Sequence, residues 1–272
     1  MNILHRILPA PFLLCSLLSA QTVLRFETVL GNFEVQLYDQ QGPERSTPLT
    51  AANFLAYVNN GAYQNSFLHR SVPGFVIQGG GFLVHENTIY SINTRPPVPN
   101  EPGNPNLRGT LAMAKLGGDP DSATSQWFIN LADNRANLDE QNGGFTVFGH
   151  VLGDGMQVVD ALAAVPTYQF DEPFSELPLL TPPPVYAEDL LYITRISIVP
   201  VEMNRVSLAD GKVRLRWGGT GDAPVNVYRA TNLVDQQWTR IASGVTLGNF
   251  EDANPPPAAF YKIERPAAAS NE

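Results

Sequence analysis

The stretch Phe67-Leu68-His69-Arg70-Ser71-Val72-Pro73-Gly74-Phe75-Val76-Ile77-Gln78-Gly79-Gly80-Gly81-Phe82 constrains this chain more than any other. The block reads as strand, turn, strand. The spacing lets Arg70, Phe75 and Gln78 face one groove, while Gly79 to Gly81 let the backbone turn tightly. A permanently charged donor, an aromatic wall and an amide then meet in one place. His69 directly precedes Arg70, so along a strand it faces the other way, and a structural role is assigned to it.

At 272 residues the chain is long enough for one large domain and a small one, and its 22 glycines and 23 prolines favour strands and turns over long helices. The net charge of -9 leaves no basic stripe, so nucleic-acid binding is not expected. Residues 1–20 read as a secretory leader: His5 and Arg6 start it, Leu13 to Leu18 form a short apolar run, and Ser19-Ala20 supply small residues before Gln21. The run is too short to span a bilayer. An exported protein, periplasmic or secreted and free of the membrane once the leader is removed, is the expectation. Cys15 is the only cysteine and lies in this leader, so the mature chain would hold no thiol and depend on its core for stability.

Val23 to Tyr38 reads as a hairpin with its turn at Gly31-Asn32. Thr47-Pro48 opens a helix with Thr47 as the cap and Leu49, Ala52, Leu55 and Val58 on one face, stopped by Gly61. Val84 to Arg108 reads as a long surface loop. Leu111 to Ala114 and Gln126 to Leu131 are short strands. Met156 to Val165 is a second helix with Met156, Val159 and Leu162 inward, and Pro166 ends it. Tyr168 to Ala187 is a proline-rich loop, and Leu190 to Val199 a final strand. Pro200 to Glu202 marks a boundary. Beyond it, alternation through Val213, Leu215 and Trp217, then Val225, Val227 and Tyr228, predicts a small β-sandwich, with Trp238, Ile241, Phe250, Phe260, Tyr261 and Ile263 as further core. The division expected is a leader over 1–20, a main domain over 21–200, a small sandwich over 201–266 and a tail over 267–272.

Several motifs are set aside on their surroundings. His85 and His150 have no partners at metal-ligand spacing, Asp119 and Asp121 lack a calcium loop, and the glycine triplet has no lysine at phosphate-loop spacing. Ser122 and Ser125 have no His and Asp pattern for a triad. No metal is expected.

Three further blocks complete the reading: Gly109-Thr110-Leu111-Ala112-Met113-Ala114-Lys115, Ser125-Gln126-Trp127-Phe128-Ile129-Asn130 and Phe145-Thr146-Val147-Phe148-Gly149-His150-Val151. With the first block, and in this order, they resemble the cyclophilin family of peptidyl-prolyl cis/trans isomerases, close to its exported bacterial members, from about Val23 to Pro200. The resemblance implies a mainly β fold: a closed eight-stranded antiparallel barrel capped by two helices, with the substrate groove outside a filled interior. The small C-terminal unit is loosely similar to fibronectin type III modules. The implied activity is rotation of X-Pro bonds in unfolded or extended exported polypeptides, by a monomer without a cofactor. A proline-directed binding module or chaperone without turnover is the alternative.

For the site, the resemblance places Arg70 as the catalytic donor with Gln78 orienting it, and Gln126 as a second polar position. It maps Phe75, Val76, Phe128, Leu138 and Phe145 onto the proline-binding wall; Met113 is added to that pocket without such a match. Ala114 and Lys115 would offer backbone groups to an extended peptide. Val76 stands where many relatives carry methionine, and Phe145 replaces the histidine of animal members. Asn137 stands where animal members carry tryptophan, which implies only weak cyclosporin binding.

Overall fold

A computed structural model describes residues 22–39, 46–199, 202–218, 225–232, 237–245 and 249–264. The expected leader with Cys15, the boundary residue Pro200 and the tail over 267–272 lie outside the described residues.

Strands β1 (Val23–Thr28) and β2 (Gly31–Leu37) form the expected hairpin. Their alternation puts Leu24, Phe26, Phe33, Val35 and Leu37 on one buried face. The turn falls at Val29 and Leu30 rather than Gly31-Asn32. Gly31 opens β2 at φ 132°, where a Cβ would approach Val158 Cγ2 at 3.3 Å.

Helix α1 (Pro48–Asn59) starts at the expected proline, but Thr47 makes no side-chain capping bond. The Glu101 carboxylate accepts the Leu49 and Thr50 N–H groups instead, at 3.2 and 2.8 Å. The buried face also differs from the one expected. Ala51, Phe54 and Tyr57 are fully buried while Leu49 is 52% exposed. The rings decide the rotation: Phe54 and Tyr57 lie against Phe26, Tyr63 and Phe148, and aromatic side chains bury the most area.

Five short strands follow: β3 (Ser66–Phe67), β4 (Arg70–Val72), β5 (Val76–Gly79), β6 (Phe82–His85) and β7 (Thr88–Ser91). The β6–β7 hairpin occupies ground expected to be loop. It turns on Glu86 and Asn87 at φ 49° and 59°, which sequence patterning does not flag for a glutamate. After a shorter loop come β8 (Thr110–Met113), β9 (Trp127–Asn130), the one-turn helix α2 (Arg135–Leu138), β10 (Val147–Val151), helix α3 (Gly155–Ala163), the paired β11 (Thr167–Tyr168) and β12 (Leu177–Pro178), and β13 (Tyr192–Ile198).

All but β11 and β12 join one antiparallel ladder in the order β4-β5-β9-β8-β10-β2-β1-β13-β3-β6-β7. The closed eight-stranded barrel is thereby corrected. Eleven strands curl into an open half-barrel whose end strands, β4 and β7, do not pair with each other. The cause lies at Leu68-His69. The Leu68 N–H donates to Leu191 and the His69 N–H to Gln78, so one bent segment serves two sheet neighbours and splits into β3 and β4. The hairpin to β7 then extends the ladder past β3.

The curl encloses the main core, to which α1 contributes Phe54 and Tyr57 and α3 contributes Val159 and Leu162. Trp127 is fully buried there, and the glycine triplet makes its room. A Cβ on Gly80, at φ 77°, would lie 2.5 Å from the Ser125 carbonyl oxygen and 2.7 Å from Trp127 Cδ1.

The C-terminal residues form two three-stranded antiparallel sheets. One is β14 (Glu202–Ala209), β15 (Lys212–Gly218) and β18 (Asn249–Asp252); the other is β17 (Thr239–Val245), β16 (Val225–Ala230) and β19 (Phe260–Glu264), each in spatial order. They share a core of Val213, Leu215, Trp217, Val225, Val227 and Ile263. Asp252 ties the sheets together by accepting hydrogen bonds from Arg229 and Tyr261, both at 2.8 Å. Phe260, expected in the core, is 40% exposed.

Candidate active site

The strand pleat sorts side chains between two apolar clusters. From β5, β8 and β9 the main core takes Ile77, Leu111, Met113, Trp127 and Ile129. The alternate residues Val76, Ala112 and Phe128 fall on the other face, with Tyr38, Leu138 and Val147, and half-buried Phe75, Ala114 and Phe145 pack against them. The register makes this face a continuous row. Arg70 lies opposite Gln78, Gln78 opposite Phe128, Phe128 opposite Ala112, and Ala112 opposite Val147. Directly opposed residues share a face, so the arginine stands at one end of an apolar trough.

Of the sequence-predicted wall, Phe75, Val76, Phe128, Leu138 and Phe145 come together. Phe128 and Phe145 meet edge-on at 5.8 Å between ring centroids. Met113 is a correction: it is 1% exposed and belongs to the main core. Its neighbour Ala112 takes the pocket position, because a strand sends adjacent residues to opposite faces. Period-two counting from Phe128 across the β8–β9 pairing is the signal that finds Ala112. Asn137 is exposed on α2 beside the buried Leu138, at the rim.

The polar groups are arranged differently from expectation. Arg70 Nε donates to Glu176 Oε2 at 2.6 Å. Gln78, expected to orient Arg70, donates its Nε2 to Gln126 Oε1 at 2.8 Å. A carboxylate is the stronger acceptor for a guanidinium, which explains the exchange of partners. Gln126 also bonds His69, whose ring packs edge-on against Phe82 at 5.1 Å between centroids. Burial, with the Arg70 charge assisting and the Gln126 bond opposing, lowers the His69 pKa to about 4. His69 is therefore a neutral structural group.

The backbone groups expected to receive a peptide are partly spent. The Ala114 N–H donates to the Gln126 carbonyl at 2.9 Å. Lys115 acts through its side chain: Nζ donates to the Asn142 and Gly144 carbonyls at 2.8 and 2.6 Å and sits 4.9 Å from the Phe145 ring centre. Burial lowers its pKa against the pull of Asp121 and Asp119. Lys115 thus pins the loop that carries Phe145.

A buried amide network behind the pocket was not foreseen. Asn134 Nδ2 donates to the Phe75 carbonyl and to Asn130 Oδ1, at 2.8 and 2.7 Å. Asn130 Nδ2 donates to Asn106 and Thr110, and Asn106 to Asp139. It fixes Phe75 and α2 relative to β9. Asparagines in loops carry no periodicity, so the pattern left them unread.

Residues 23–181 match the family described as cyclophilin type peptidyl-prolyl cis-trans isomerase/CLD. A peptidyl-prolyl cis-trans isomerase of Acinetobacter baylyi is 46% identical over 151 residues, covering 54% of this chain and 75% of its own length. Peptidyl-prolyl cis-trans isomerase B of Escherichia coli is 40% identical over 151 residues, covering 53% of this chain and 86% of its own. A solved cyclophilin type peptidyl-prolyl cis-trans isomerase of Cryptosporidium parvum aligns with 65% of this chain and 97% of its own, at 24% identity and a TM-score of 0.47. With the strands of the four sequence blocks neighbouring one another in the order β4-β5-β9-β8-β10 and the family match spanning more than half its length, the chain belongs to the cyclophilin-type peptidyl-prolyl cis-trans isomerase family.

Proposed function

We propose that this chain accelerates cis/trans isomerisation of X-Pro peptide bonds, with Arg70 as the catalytic group and the pocket around Phe75, Ala112, Phe128 and Phe145 as the seat of the proline ring. The X-Pro bond resists rotation because nitrogen donates its lone pair into the carbonyl, a barrier of roughly 18–20 kcal/mol. Twisting the bond breaks that resonance, and the pyramidal nitrogen becomes an acceptor that it was not when planar. A donor aimed at it binds the twisted state better than either planar state, and that difference lowers the barrier. No covalent bond is made or broken and no proton moves, so the reaction itself calls for no cofactor.

Raising the rate from about one event per hundred seconds to hundreds per second means removing about 6 kcal/mol. One charged hydrogen bond contributes about 1.5–3 kcal/mol in ordinary surroundings, and more in a dry, preorganised site. The remainder falls to the pocket, which holds the ring while the preceding carbonyl swings. The observation that carries the reading is the cross-strand row from Arg70 through Gln78 and Phe128 to Ala112.

A protease-coupled assay on a prolyl tetrapeptide tests it. Wild type accelerates the slow phase, and Arg70→Ala lowers kcat/KM by about a hundredfold, the scale expected for removing a preorganised donor. Peptide affinity without acceleration in wild type would leave a proline-directed binding module in place of an enzyme.

The same reading extends outward. The leader-like start supports an exported protein that acts on newly translocated chains. Asn137 at the rim, with no ring to offer, supports weak cyclosporin binding. The order β14-β15-β18 facing β17-β16-β19 supports a fibronectin type III-like module after residue 200.

A further inference from the structure

The Arg70 side chain has one hydrogen-bond partner among the described residues, and it comes from a segment 106 positions away: Glu176, at 2.6 Å from Nε. Glu176 is held independently of its side chain. Its carbonyl accepts the Ser71 N–H at 2.9 Å, and the following residues Leu177–Pro178 form β12. Leu177 is buried with Phe67, Leu179 and Leu190, and Phe174 lies against Phe67 and Phe82. The carboxylate is therefore presented to β4 from an anchored strand. Gln78, the other polar residue facing Arg70 across the ladder, turns its Nε2 to Gln126 and makes no side-chain hydrogen bond to the guanidinium among the described residues.

Resting on the isomerase reading above, we infer that Glu176 is the positioning residue for Arg70. It grips the Nε edge of the guanidinium and leaves both terminal nitrogens for the prolyl nitrogen. Fixing Nε fixes the plane of the whole group, since the guanidinium is rigid. A long, rotatable side chain needs such a second contact to hold a catalytic geometry. The pair is partly solvent-exposed, with side chains 32% and 39% accessible, so its value lies in aim rather than in stability.

The test uses the full chain and a prolyl tetrapeptide. Glu176→Ala keeps the Ser71 backbone bond and is expected to lower kcat about tenfold with KM within about twofold, the signature of an interaction made only in the transition state. Glu176→Gln retains an acceptor and is expected to stay within about threefold of wild type, charge assistance alone being lost. In Arg70→Ala the Glu176 substitution adds nothing further. The Arg70 Nε–H resonance, hydrogen-bonded in wild type, shifts toward the solvent-exposed position in Glu176→Ala. Unchanged kcat in Glu176→Ala beside an active wild type overturns the positioning role alone, as does a rise in KM at constant kcat, which would make Glu176 a substrate contact. A wild type with no turnover removes the isomerase reading and this inference with it.

Discussion

At the scale of single residues, His69 and Arg70 divide labour by facing opposite ways from adjacent positions. His69 is 2% exposed with Nδ1 unpartnered among the described residues, so its neutral form is the one the fold accepts. Its pKa falls from 6.5 to about 4 because burial penalises the charged ring first of all. The sign follows directly. Between those values the unfolded chain binds a proton that the folded chain refuses, so stability declines as pH falls from 6.5 toward 4 and the contribution levels off below. The full difference corresponds to about 3 kcal/mol. Urea unfolding of wild type and His69→Gln across this range checks it: the substituted protein should lose stability less steeply. Parallel pH slopes would show that other groups set the acid sensitivity.

Two elements carry the site's geometry. The first is the glycine triplet between β5 and β6, which lets Trp127 sit against the backbone. Gly80→Ala places a methyl group 2.5 Å from the Ser125 oxygen at φ 77°. Combined left-handed strain and overpacking is expected to cost about 3 kcal/mol, visible as a drop in Tm; an unchanged Tm would mean that the Trp127 packing is looser than described. The second is the loop before β10, pinned by Lys115 to the Asn142 and Gly144 carbonyls. Lys115→Met frees Phe145 to move and is expected to raise KM and lower kcat, each by about two- to threefold, since the pocket both seats the ring and supplies the part of the rate that Arg70 alone does not. Steady-state kinetics separates the two parameters.

At the scale of the whole molecule, the ladder that holds the site makes its last hydrogen bond along the chain at Val199, whose N–H donates to the Val23 carbonyl. The small sheets beyond share a separate core centred on Leu215, Trp217 and Val227. The curated relatives reach 75% and 86% of their own lengths within about half of this chain. A chain ending after residue 200 should therefore keep kcat/KM within about twofold, as expected of units with independent cores. A loss of activity on truncation would tie the C-terminal sheets to catalysis.

What the sequence determined by itself was local. Alternation along Leu24, Phe26, Phe33 and Val35, the proline at the start of α1, and the blocks around Arg70, Phe128 and Phe145 were enough for a β fold, an apolar pocket and a charged donor beside it. Tertiary structure decided whatever depends on residues far apart. It selected Ala112 over Met113 through cross-strand register, turned α1 onto Phe54 and Tyr57, replaced a Thr47 cap with Glu101, left the curled sheet open at β4, and brought Glu176 rather than Gln78 to Arg70. Periodicity records which face a residue shares with its near neighbours, because the backbone repeat is short-ranged. Which distant group arrives at that face is settled only when the ladder curls and the loops are drawn across it.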